Sequence, residues 1–572
     1  MSYFLKKINK SKGVYLSIYE TTYNSETKLS NNKSYKTLGY VKDLKTSLGV
    51  DDPIAYFNEE VKKLNLKTKE EKKRKVGEKP ITKNIGYFLI KSILNTLNVK
   101  KDLNLFGENH KFQIPINDFV ETMIFCQIVK PASKYKNANE IIPSLQNVKE
   151  ISEDQIYRMI NFIGSNYKKY IEVFNKHLSD YCNRNFSNLF FDCTNYYFEI
   201  DSAFEDKQKG PSKEGRKEPI IGQALLLDGD RIPLAMEMYP GNESEKPYIR
   251  KLIEESKCKY NVKGRTIQVA DKGLNCAKNI FFASKEANDG YIFSKSVHGK
   301  NLNEQEKKWV LLDDNSVNMW HEVNDAKGNL IYKYKECVDT FKYSFTDENG
   351  QKIEFEMKEK RVVSYNPKLA KKQIAEINKQ IEKIRKLNTL KSIKRVEYGD
   401  AIKYVMFTNK DGEIDESIPS LNQSKIDEDK KFAGYNLLVS SEINTPADEI
   451  YKTYHSLREI QESFRLLKYY LEARPVYLQN KESIYGHFLI CYLSLFCLRV
   501  LQKKIFNDEL NSNDIINFIR QFNLTENDSN YISNILMSDT LRKIKKVTQL
   551  NSIDNYYIDE KDISHFLSYE FD

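Results

Sequence analysis

Residues 187–200 read SNLFFDCTNYYFEI, and the prediction of the fold starts from these residues. Aromatic and β-branched residues are frequent in it, which predicts a β-strand. Asp192 lies inside the apolar run, and no second charge follows it before Glu199. An ionised carboxylate in such a strand is costly to bury unless it is paired, hydrogen-bonded or bound to a metal. We therefore expect Asp192 to have a partner from another part of the chain.

A second apolar stretch supplies a candidate partner. Residues 266–270 read TIQVA and predict a short strand ending at Asp271, after which residues 276–287 have a helical pattern. Acids at strand ends with a helix behind them suit a hard divalent cation such as Mg²⁺, which prefers oxygen ligands. The alternative is that each aspartate only caps a turn or a helix, the commoner role of a lone strand-end aspartate. Both interpretations stay open on these two stretches.

The composition is that of a folded protein with several domains. A chain of 572 residues, 40% of them hydrophobic, is long enough for roughly two to four domains. The 90 basic and 80 acidic side chains give a formal charge of +10, which permits a nucleic-acid partner without requiring one. The eight cysteines include no C-x-x-C pair and the seven histidines are scattered, so neither a zinc site nor a disulfide framework is predicted.

Two stretches bear on cellular location. Residues 1–13 contain no apolar signal-peptide core, and a reducing cytosol fits the cysteine usage, so a cytoplasmic protein is expected. Residues 484–501 are apolar but contain His487 and Arg499, and their uncharged centre is slightly short for a membrane span. A buried core helix is the preferred interpretation, and no membrane partner is predicted.

Hydrophobic periodicity predicts the other elements in order. Residues 1–45 alternate apolar and polar positions and predict a β-hairpin with a long connection. Residues 85–184 predict successive amphipathic helices. Residues 220–239 predict a second hairpin around an Asp-Gly turn, and a helix at 245–259 leads to the Asp271 strand. The predicted fold class is therefore α/β, a mixed sheet with flanking helices.

The densest basic run is KKLNLKTKEEKKRKVGEK at residues 62–79. One interpretation is a solvated helix followed by a linker, and the other is an arm that contacts phosphates. The two are equally supported by the sequence.

The pattern of strands and helices breaks down at about residues 296–447. Short strand-like pieces, including residues 307–312, precede a helix at 367–390 with isoleucines at helical spacing. Elements of the sheet resume at residues 434–440, GYNLLVS. We interpret the intervening segment as an insertion into one domain.

A third important element is the helix predicted at residues 445–472, where Thr-Pro followed by Asp-Glu is a strong helix start. One stripe of this helix contains Ile450, Tyr454, Leu457, Gln461, Phe464, Lys468 and Leu471. Glu462 lies about 100° around the helix from that stripe, on the face shared with Arg458 and Arg465. By spacing alone, a surface ion pair with Arg458 is the preferred role of Glu462.

With these residues in view, the chain resembles the DDE transposases of bacterial insertion sequences, in the branch whose RNase H-like catalytic domain is interrupted by a β-rich insertion. The matching pieces are FDCTN at 191–195, the 219–242 hairpin ending in YPGN, VADKGLN at 269–275, the 454–468 segment and LEARPVY at 471–477. Together they extend over most of residues 187–500. Their order and combination make the resemblance specific, whereas each piece alone is a weak signal.

The resemblance implies metal-dependent DNA strand cleavage and strand transfer at the ends of the element. In such enzymes three carboxylates hold two Mg²⁺ ions, for which Mn²⁺ can substitute, roughly 3.5–4 Å apart. Asp192 and Asp271 match the first two acids. The implied partners are double-stranded DNA, as terminal repeats and as target, and a second copy of the chain in a homodimeric synaptic complex.

The third acid departs from the family pattern. The family has Tyr, Arg, Glu and Lys at fixed spacing on this helix, but the Arg position is Leu457 and the Glu position is Gln461. Arg458 and Glu462 each follow one residue later. We predict Glu462 as the third metal ligand, brought inward by a local distortion such as a π-bulge. The alternative is a site with two acids in a weakened or inactive protein, because a glutamine carbonyl lacks the charge of a carboxylate.

The same resemblance implies contacts with DNA phosphates, which position the duplex without reading its sequence. The predicted DNA-binding residues are Tyr454, Arg458 and Lys468 on the helix, and Lys209, Lys213, Arg216 and Lys217 in the loop after the Asp192 strand. For the loop residues, a solvated loop is an equally supported alternative.

The predicted division of the chain has six parts. They are a β-hairpin region (1–50), a helical, DNA-binding region (51–185), the first part of the catalytic domain (186–295), the insertion (296–433), the second part of the catalytic domain (434–505) and a C-terminal helical region (506–572). Two alternatives remain for the function: a decayed transposase that only binds DNA, and a metal nuclease of the same fold.

Overall fold

The structure is a computed structural model. It describes residues 2–24, 29–73, 81–215, 217–260, 262, 264–298, 302–312, 320–387, 395–408, 414–527 and 530–571. Two compact units make up the chain, Met1–Ile81 and Thr82–Asp572.

The first unit is an antiparallel sheet with two helices. Its elements are β1 (Ser2–Lys10), β2 (Gly13–Asn24), β3 (Leu29–Tyr40), α1 (Val41–Leu48) and α2 (Pro53–Lys73). The predicted hairpin is therefore wrong in strand number, since β2 pairs with both β1 and β3. The α2 helix holds the lysine-rich β1 in place, because Asn65 exchanges hydrogen bonds of 2.7 and 2.8 Å with the backbone of Tyr3.

The basic run at 62–79 lies partly in α2 and partly, at residues 74–80, outside the described residues. In α2, Lys62 and Lys63 remain largely exposed and pair with the glutamates three residues earlier. Lys62 and Lys63 therefore belong to a solvated helix face.

The second unit contains the remaining strands and helices. Its strands are β4 (Thr82–Asn84), β5 (Asn188–Tyr197), β6 (Ile220–Leu227), β7 (Pro233–Pro240), β8 (Ile267–Ala270), β9 (Gly290–Lys295), β10 (His321–Asn324), β11 (Leu330–Thr346), β12 (Lys352–Tyr365), β13 (Val405–Thr408), β14 (Ile414–Leu421), β15 (Tyr435–Ser440), β16 (Asn523–Asn527), β17 (Asn530–Ser533) and β18 (Tyr557–Ile558). Its α-helices are α3 (Phe88–Leu97), α4 (Lys100–Leu105), α5 (Ile116–Val129), α6 (Lys134–Lys136), α7 (Glu153–Ser165), α8 (Tyr167–Tyr181), α9 (Lys246–Lys259), α10 (Ala277–Phe281), α11 (Glu304–Leu311), α12 (Pro367–Leu387), α13 (Gln423–Lys431), α14 (Ala447–His455), α15 (Arg458–Arg465), α16 (Lys481–Val500), α17 (Ser512–Gln521), α18 (Asp539–Thr548) and α19 (Glu560–Ser568).

Within the described residues, nine strands form one large sheet in the order β10-β11-β12-β15-β9-β8-β5-β6-β7. At its centre, β5 lies between β8, which is parallel to it, and β6, which is antiparallel. Beyond these, β9 continues the parallel side and β7 the antiparallel side. Every residue of β6 is buried, as its apolar sequence requires. The predicted mixed α/β class is confirmed.

The predicted insertion extends this sheet. β11 and β12 form a long hairpin, and the last residues of β12 pair with β15, which in turn pairs with β9. The strand predicted at 307–312 is wrong, because these residues belong mostly to α11. There Asn303 and Glu306 form a capping box and Val310 is buried, so local capping favours a helix. The isoleucine stripe of α12 is present, with Ile377, Ile381 and Ile384 buried.

The apolar helix α16 is the centre of the second unit's helical core. It belongs to a segment, Lys481–Ile505, that is long and apolar enough to cross a membrane, but 94% of its most apolar window is buried inside the protein. Helix α7 packs closely on it: a Cβ atom on Gly164 would collide with the Glu482 carbonyl, and one on Gly486 with the Ile160 carbonyl. The predicted core helix is confirmed, with glycines permitting the close approach.

Candidate active site

The register of two parallel strands sets the position of the predicted acids. β5 and β8 pair so that Phe191 lies beside Ala270. Asp192 and Asp271 are the next residues along the two strands, so they lie side by side where β8 ends. Asp271 is close enough to raise the pKa of Asp192. The structure thus brings together the two aspartates that the sequence singled out.

The surroundings of Asp192 decide its charge. Burial, with smaller contributions from the Asp271 and Glu245 carboxylates, raises the pKa of Asp192 to about 6. Two groups oppose this rise: the Cys193 N–H donates to Asp192 Oδ1 at 2.8 Å, and the Lys213 ammonium lies 3.8 Å from the same oxygen. Without a metal ion, Asp192 is therefore partly protonated near pH 6.

Lys213 connects Asp192 with a carboxylate that sequence reasoning missed, that of Glu245. The Lys213 ammonium lies 3.0 Å from Glu245 Oε2 and also donates to the Cys193 carbonyl. Although burial lowers the pKa of Lys213, the Asp192 and Glu245 carboxylates raise it overall. Glu245 also approaches the segment after β8, since a Cβ atom on Gly273 would lie 2.7 Å from Glu245 Oε1. No spacing distinguished Glu245, because it precedes α9 in a polar loop like many other acids.

Tyr454 of α14 links the third predicted element to the acids. Its hydroxyl donates a hydrogen bond to Asp271 Oδ1 at 2.9 Å. Burial, followed by the Asp271 carboxylate, raises the pKa of Tyr454 well above its usual range, so the hydroxyl keeps its proton. The side chain that was predicted to contact a DNA phosphate is therefore bonded to an acid of the site.

A cavity of about 480 Å³ adjoins Asp271 and Tyr454. Its lining includes the basic side chains Lys272, Lys295 and Arg458. A concave surface with several cations beside a carboxylate is electrostatically suited to a phosphate-bearing ligand.

The same cavity distinguishes Gln461 from Glu462. Gln461 lines it together with Asp271, as the helical stripe predicted. Glu462 lines a different cavity, of about 210 Å³, and there its charge acts on the buried Arg499 guanidinium. The structure does not bring Glu462 together with Asp192 and Asp271, contrary to the sequence prediction for the third ligand.

The local backbone explains this outcome. The predicted long helix is interrupted, because α14 ends at His455 and α15 begins at Arg458. A π-helical turn is present at Leu466–Tyr470, but it follows Glu462. A distortion at that place leaves Glu462 about 100° from Gln461, as in a regular helix. Leu457, at the family's Arg position, is buried.

The predicted phosphate-binding residue Lys468 already has a protein partner. Its ammonium lies 3.0 Å from Glu214 Oε1, and Arg474 pairs with the same carboxylate. Burial lowers the pKa of Lys468, and Glu214 opposes this shift. Of the other predicted loop residues, Lys209 and Lys217 are exposed. Arg216 lies outside the described residues.

The carboxylates do not form a complete metal cage. In the parts of the chain that the structure describes, no group of three or more His, Cys, Asp or Glu side chains is arranged to hold a metal ion. The Lys213 ammonium lies between Asp192 and Glu245, where it supplies the positive charge. The Asp192, Asp271 and Glu245 carboxylates offer oxygen donors, which a hard cation prefers.

No protein-family model matches the chain, and no curated protein matches it. Similar solved structures include the cryo-EM structure of the piggyBac transposase synaptic complex with hairpin DNA. The similarity has a TM-score of 0.32 and 10% sequence identity, and it covers 76% of this chain and 78% of that chain. A similarity at this level does not establish a shared fold.

Proposed function

We propose that the chain is a transposase that binds the DNA ends of an insertion sequence and catalyses strand cleavage and strand transfer. The observation that carries the proposal is the meeting of Asp192 and Asp271 where β8 ends, beside a cavity with basic lining. Phosphoryl transfer depends mainly on positioning and charge neutralisation. A pair of acids surrounded by cations has the chemistry that this reaction needs.

The RNase H-like class is part of this proposal. Its support is the strand order β7-β6-β5-β8-β9. On one side of β5, neighbouring strands pair antiparallel (β5 with β6, β6 with β7), and on the other side they pair parallel (β5 with β8, β8 with β9). The first acid lies on the central strand and the second follows its parallel neighbour. The motifs that resemble the family, FDCTN at 191–195 and VADKGLN at 269–275, contain these two acids.

Two Mg²⁺ ions, or Mn²⁺, are the proposed cofactors. Asp192 and Asp271 would hold them, with Glu245 as the nearest further carboxylate and the Gln461 carbonyl as a neutral oxygen donor. The bound ions would supply activation of the attacking oxygen and stabilisation of the leaving oxygen. The donor set fits hard cations once Lys213 moves from between Asp192 and Glu245.

The chain's own residues have separate tasks in this proposal. Tyr454 holds the Asp271 carboxylate in one orientation through its hydrogen bond. Arg458 and Lys272, which line the cavity, bind the phosphates of double-stranded DNA. Because two DNA ends must be joined in one complex, we propose a homodimer as the active form, in the bacterial cytoplasm.

A second candidate function is DNA binding without catalysis. The observation that favours it is that Gln461, not a glutamate, lines the cavity with Asp271. An amide in place of a carboxylate weakens metal binding, because it removes one negative charge from the donor set. Under this alternative the fold and the basic lining persist while strand transfer is lost.

The test is a cleavage and joining assay with Mg²⁺ or Mn²⁺, on DNA that carries the ends of the genetic element encoding the chain. We expect Asp192→Asn and Asp271→Asn to lose at least about 100-fold in rate, and Glu245→Gln to lose rate as well. Asp180→Asn, at an exposed position of α8, is the matched control and should keep wild-type activity. DNA affinity, measured by fluorescence anisotropy, should be unchanged in all four variants.

The other outcomes assign the alternatives. Inactive wild type that becomes active as Gln461→Glu identifies a decayed transposase. DNA binding with no cleavage in any variant identifies a DNA-binding protein. Cleaved but unjoined products identify a metal nuclease. Wild type that binds neither ends nor unrelated duplex DNA overturns the proposal.

A further inference from the structure

A second cavity, of about 280 Å³, lies away from the acids and has a buried lysine in its wall. The lysine is Lys134, which is only 5% exposed. Burying an ammonium costs free energy unless an anion or several hydrogen-bond acceptors surround it. Within the described part of the chain, no carboxylate acts on the charge of Lys134. Among those residues, the hydrogen-bond partner of the Lys134 ammonium is a ring nitrogen of His487.

His487 uses only a fraction of the lysine's bonding capacity. His487 Nε2 lies 3.2 Å from the Ala473 carbonyl oxygen, so this nitrogen carries the proton and donates. His487 Nδ1 is then the acceptor for Lys134 Nζ, at 3.4 Å. Burial, followed by the Lys134 charge, lowers the pKa of His487 to about 3, so the ring is neutral. An ammonium has three N–H donors, which leaves two of them for a ligand.

The rest of the lining has the chemistry of a nucleotide-binding surface. Arg474 adds a second cationic side chain to the wall. Tyr157 and Tyr477 also line the cavity and are 39% and 72% exposed, so they offer aromatic faces near solvent. Aromatic faces bind bases and sugars, whereas buried cations bind phosphates. The exposed Glu472 is the acidic residue in this wall.

The cavity is also connected with the candidate active site. The Arg474 guanidinium pairs with Glu214, and Lys468 pairs with the same carboxylate. Glu214 directly follows Lys213, which contacts Asp192. The Glu214 carboxylate therefore links Arg474, in the wall of this cavity, to the loop that contains Lys213.

We propose that the Lys134 cavity binds a phosphate of the DNA substrate, with the Lys134 ammonium as its buried anchor and Arg474 as a second donor. That the phosphate belongs to DNA rests on the proposed function. That the cavity binds a phosphate does not depend on that function. Burial lowers the pKa of Lys134 in the free protein, and a bound anion favours its charged form.

The test compares wild type with Lys134→Met, which removes the charge and keeps the apolar stem. Lys130→Met is the matched control, because Lys130 is exposed and lies four residues earlier. The first readout is duplex-DNA affinity as a function of salt. We expect Lys134→Met to weaken binding by about tenfold and to reduce the slope of log K against log salt by about 1, and Lys130→Met to change neither.

The second readout separates DNA from free phosphate. At equal ionic strength, inorganic phosphate in place of chloride should raise the melting temperature of wild type and Lys130→Met by more than that of Lys134→Met, which keeps only the general stabilising effect of phosphate and its binding elsewhere. If wild type binds no DNA and this phosphate response still depends on Lys134, the proposed function fails and the phosphate site stands. If DNA affinity, salt slope and phosphate response are all unchanged in Lys134→Met, the inference is overturned.

A third measurement uses wild type alone, in case Lys134→Met does not fold. A crystal of the full chain soaked in tungstate should show the anion within hydrogen-bonding distance of Lys134 Nζ. Tungstate bound elsewhere, with none at Lys134, contradicts the inference.

Discussion

The Tyr454 hydroxyl donates a hydrogen bond to Asp271 Oδ1 over 2.9 Å, and so joins α14 to the end of β8. The two residues are 183 positions apart in the chain. The bond fixes one carboxylate of the candidate active site and leaves its second oxygen available to a ligand.

Tyr454→Phe removes the hydroxyl while keeping the ring. We expect the free energy of unfolding to fall by about 1–2 kcal/mol, because a hydrogen bond to a charged group in a partly buried place is lost. Urea unfolding monitored by circular dichroism measures this change. We also expect weaker Mn²⁺ binding, because the Asp271 carboxylate becomes free to rotate. Tyr469→Phe, at an exposed position, is the control, and equal effects in both variants would refute a special role for Tyr454.

Asp192→Asn should stabilise the metal-free protein at pH 7.5. The pKa of Asp192 is about 6 in the folded state, against an ordinary value of 3.8 for an aspartate, so the folded state binds more protons than the unfolded state between these values. The contribution of Asp192 to stability therefore decreases as pH rises from about 4 to about 6, and stays low above that range. We expect Asp192→Asn to raise the free energy of unfolding by about 2 kcal/mol at pH 7.5. The pKa shift alone would give a larger gain, but Lys213 loses its contact with the Asp192 carboxylate in this variant.

The measurement for this prediction is a series of unfolding curves between pH 4 and pH 8 with a metal chelator present. The advantage of Asp192→Asn should shrink toward pH 4. A pH-independent difference between the two proteins would contradict the raised pKa of Asp192. Adding Mn²⁺ should reverse the order at pH 7.5, because only the wild type keeps the charged ligand.

Gln461→Glu and Glu462→Gln should have opposite consequences. Because Gln461 lines the cavity with Asp271, a carboxylate there should tighten Mn²⁺ binding by about tenfold. Glu462 lines another cavity, so Glu462→Gln should leave Mn²⁺ affinity unchanged. Calorimetric titration measures both affinities. A loss of Mn²⁺ binding in Glu462→Gln would restore Glu462 as the third ligand.

Gly164→Ala should destabilise the second unit. The added Cβ atom would collide with the Glu482 carbonyl and force α7 away from α16. We expect a loss of about 3 kcal/mol in the free energy of unfolding, the usual size for strain in a packed core. Ser165→Ala, at the neighbouring exposed position, should change it by less than about 0.5 kcal/mol. Thermal and urea unfolding of the two variants provide the comparison.

Elements with a strong local signal could be predicted from the sequence. The apolar runs around Asp192 and before Asp271 form strands, and the stretch at 484–501 forms a buried helix, because hydrophobic periodicity and length are properties of the local chain. The 307–312 piece was misassigned because a capping box, which depends on two specific side chains, outweighed strand-like composition. The hairpin at 1–45 has a third strand because a lysine-rich strand is stabilised by pairing and by Asn65 of a later helix.

Local patterns in the sequence were enough to predict the mixed α/β class and to single out Asp192 and Asp271, because strand patterns and strand ends are encoded locally. Which other groups reach these acids depends on tertiary packing. It brought Lys213 and Glu245 to Asp192, and it directed Glu462 toward Arg499. Distances between side chains from remote segments depend on how loops and helices pack, and no spacing in a single sequence specifies that packing.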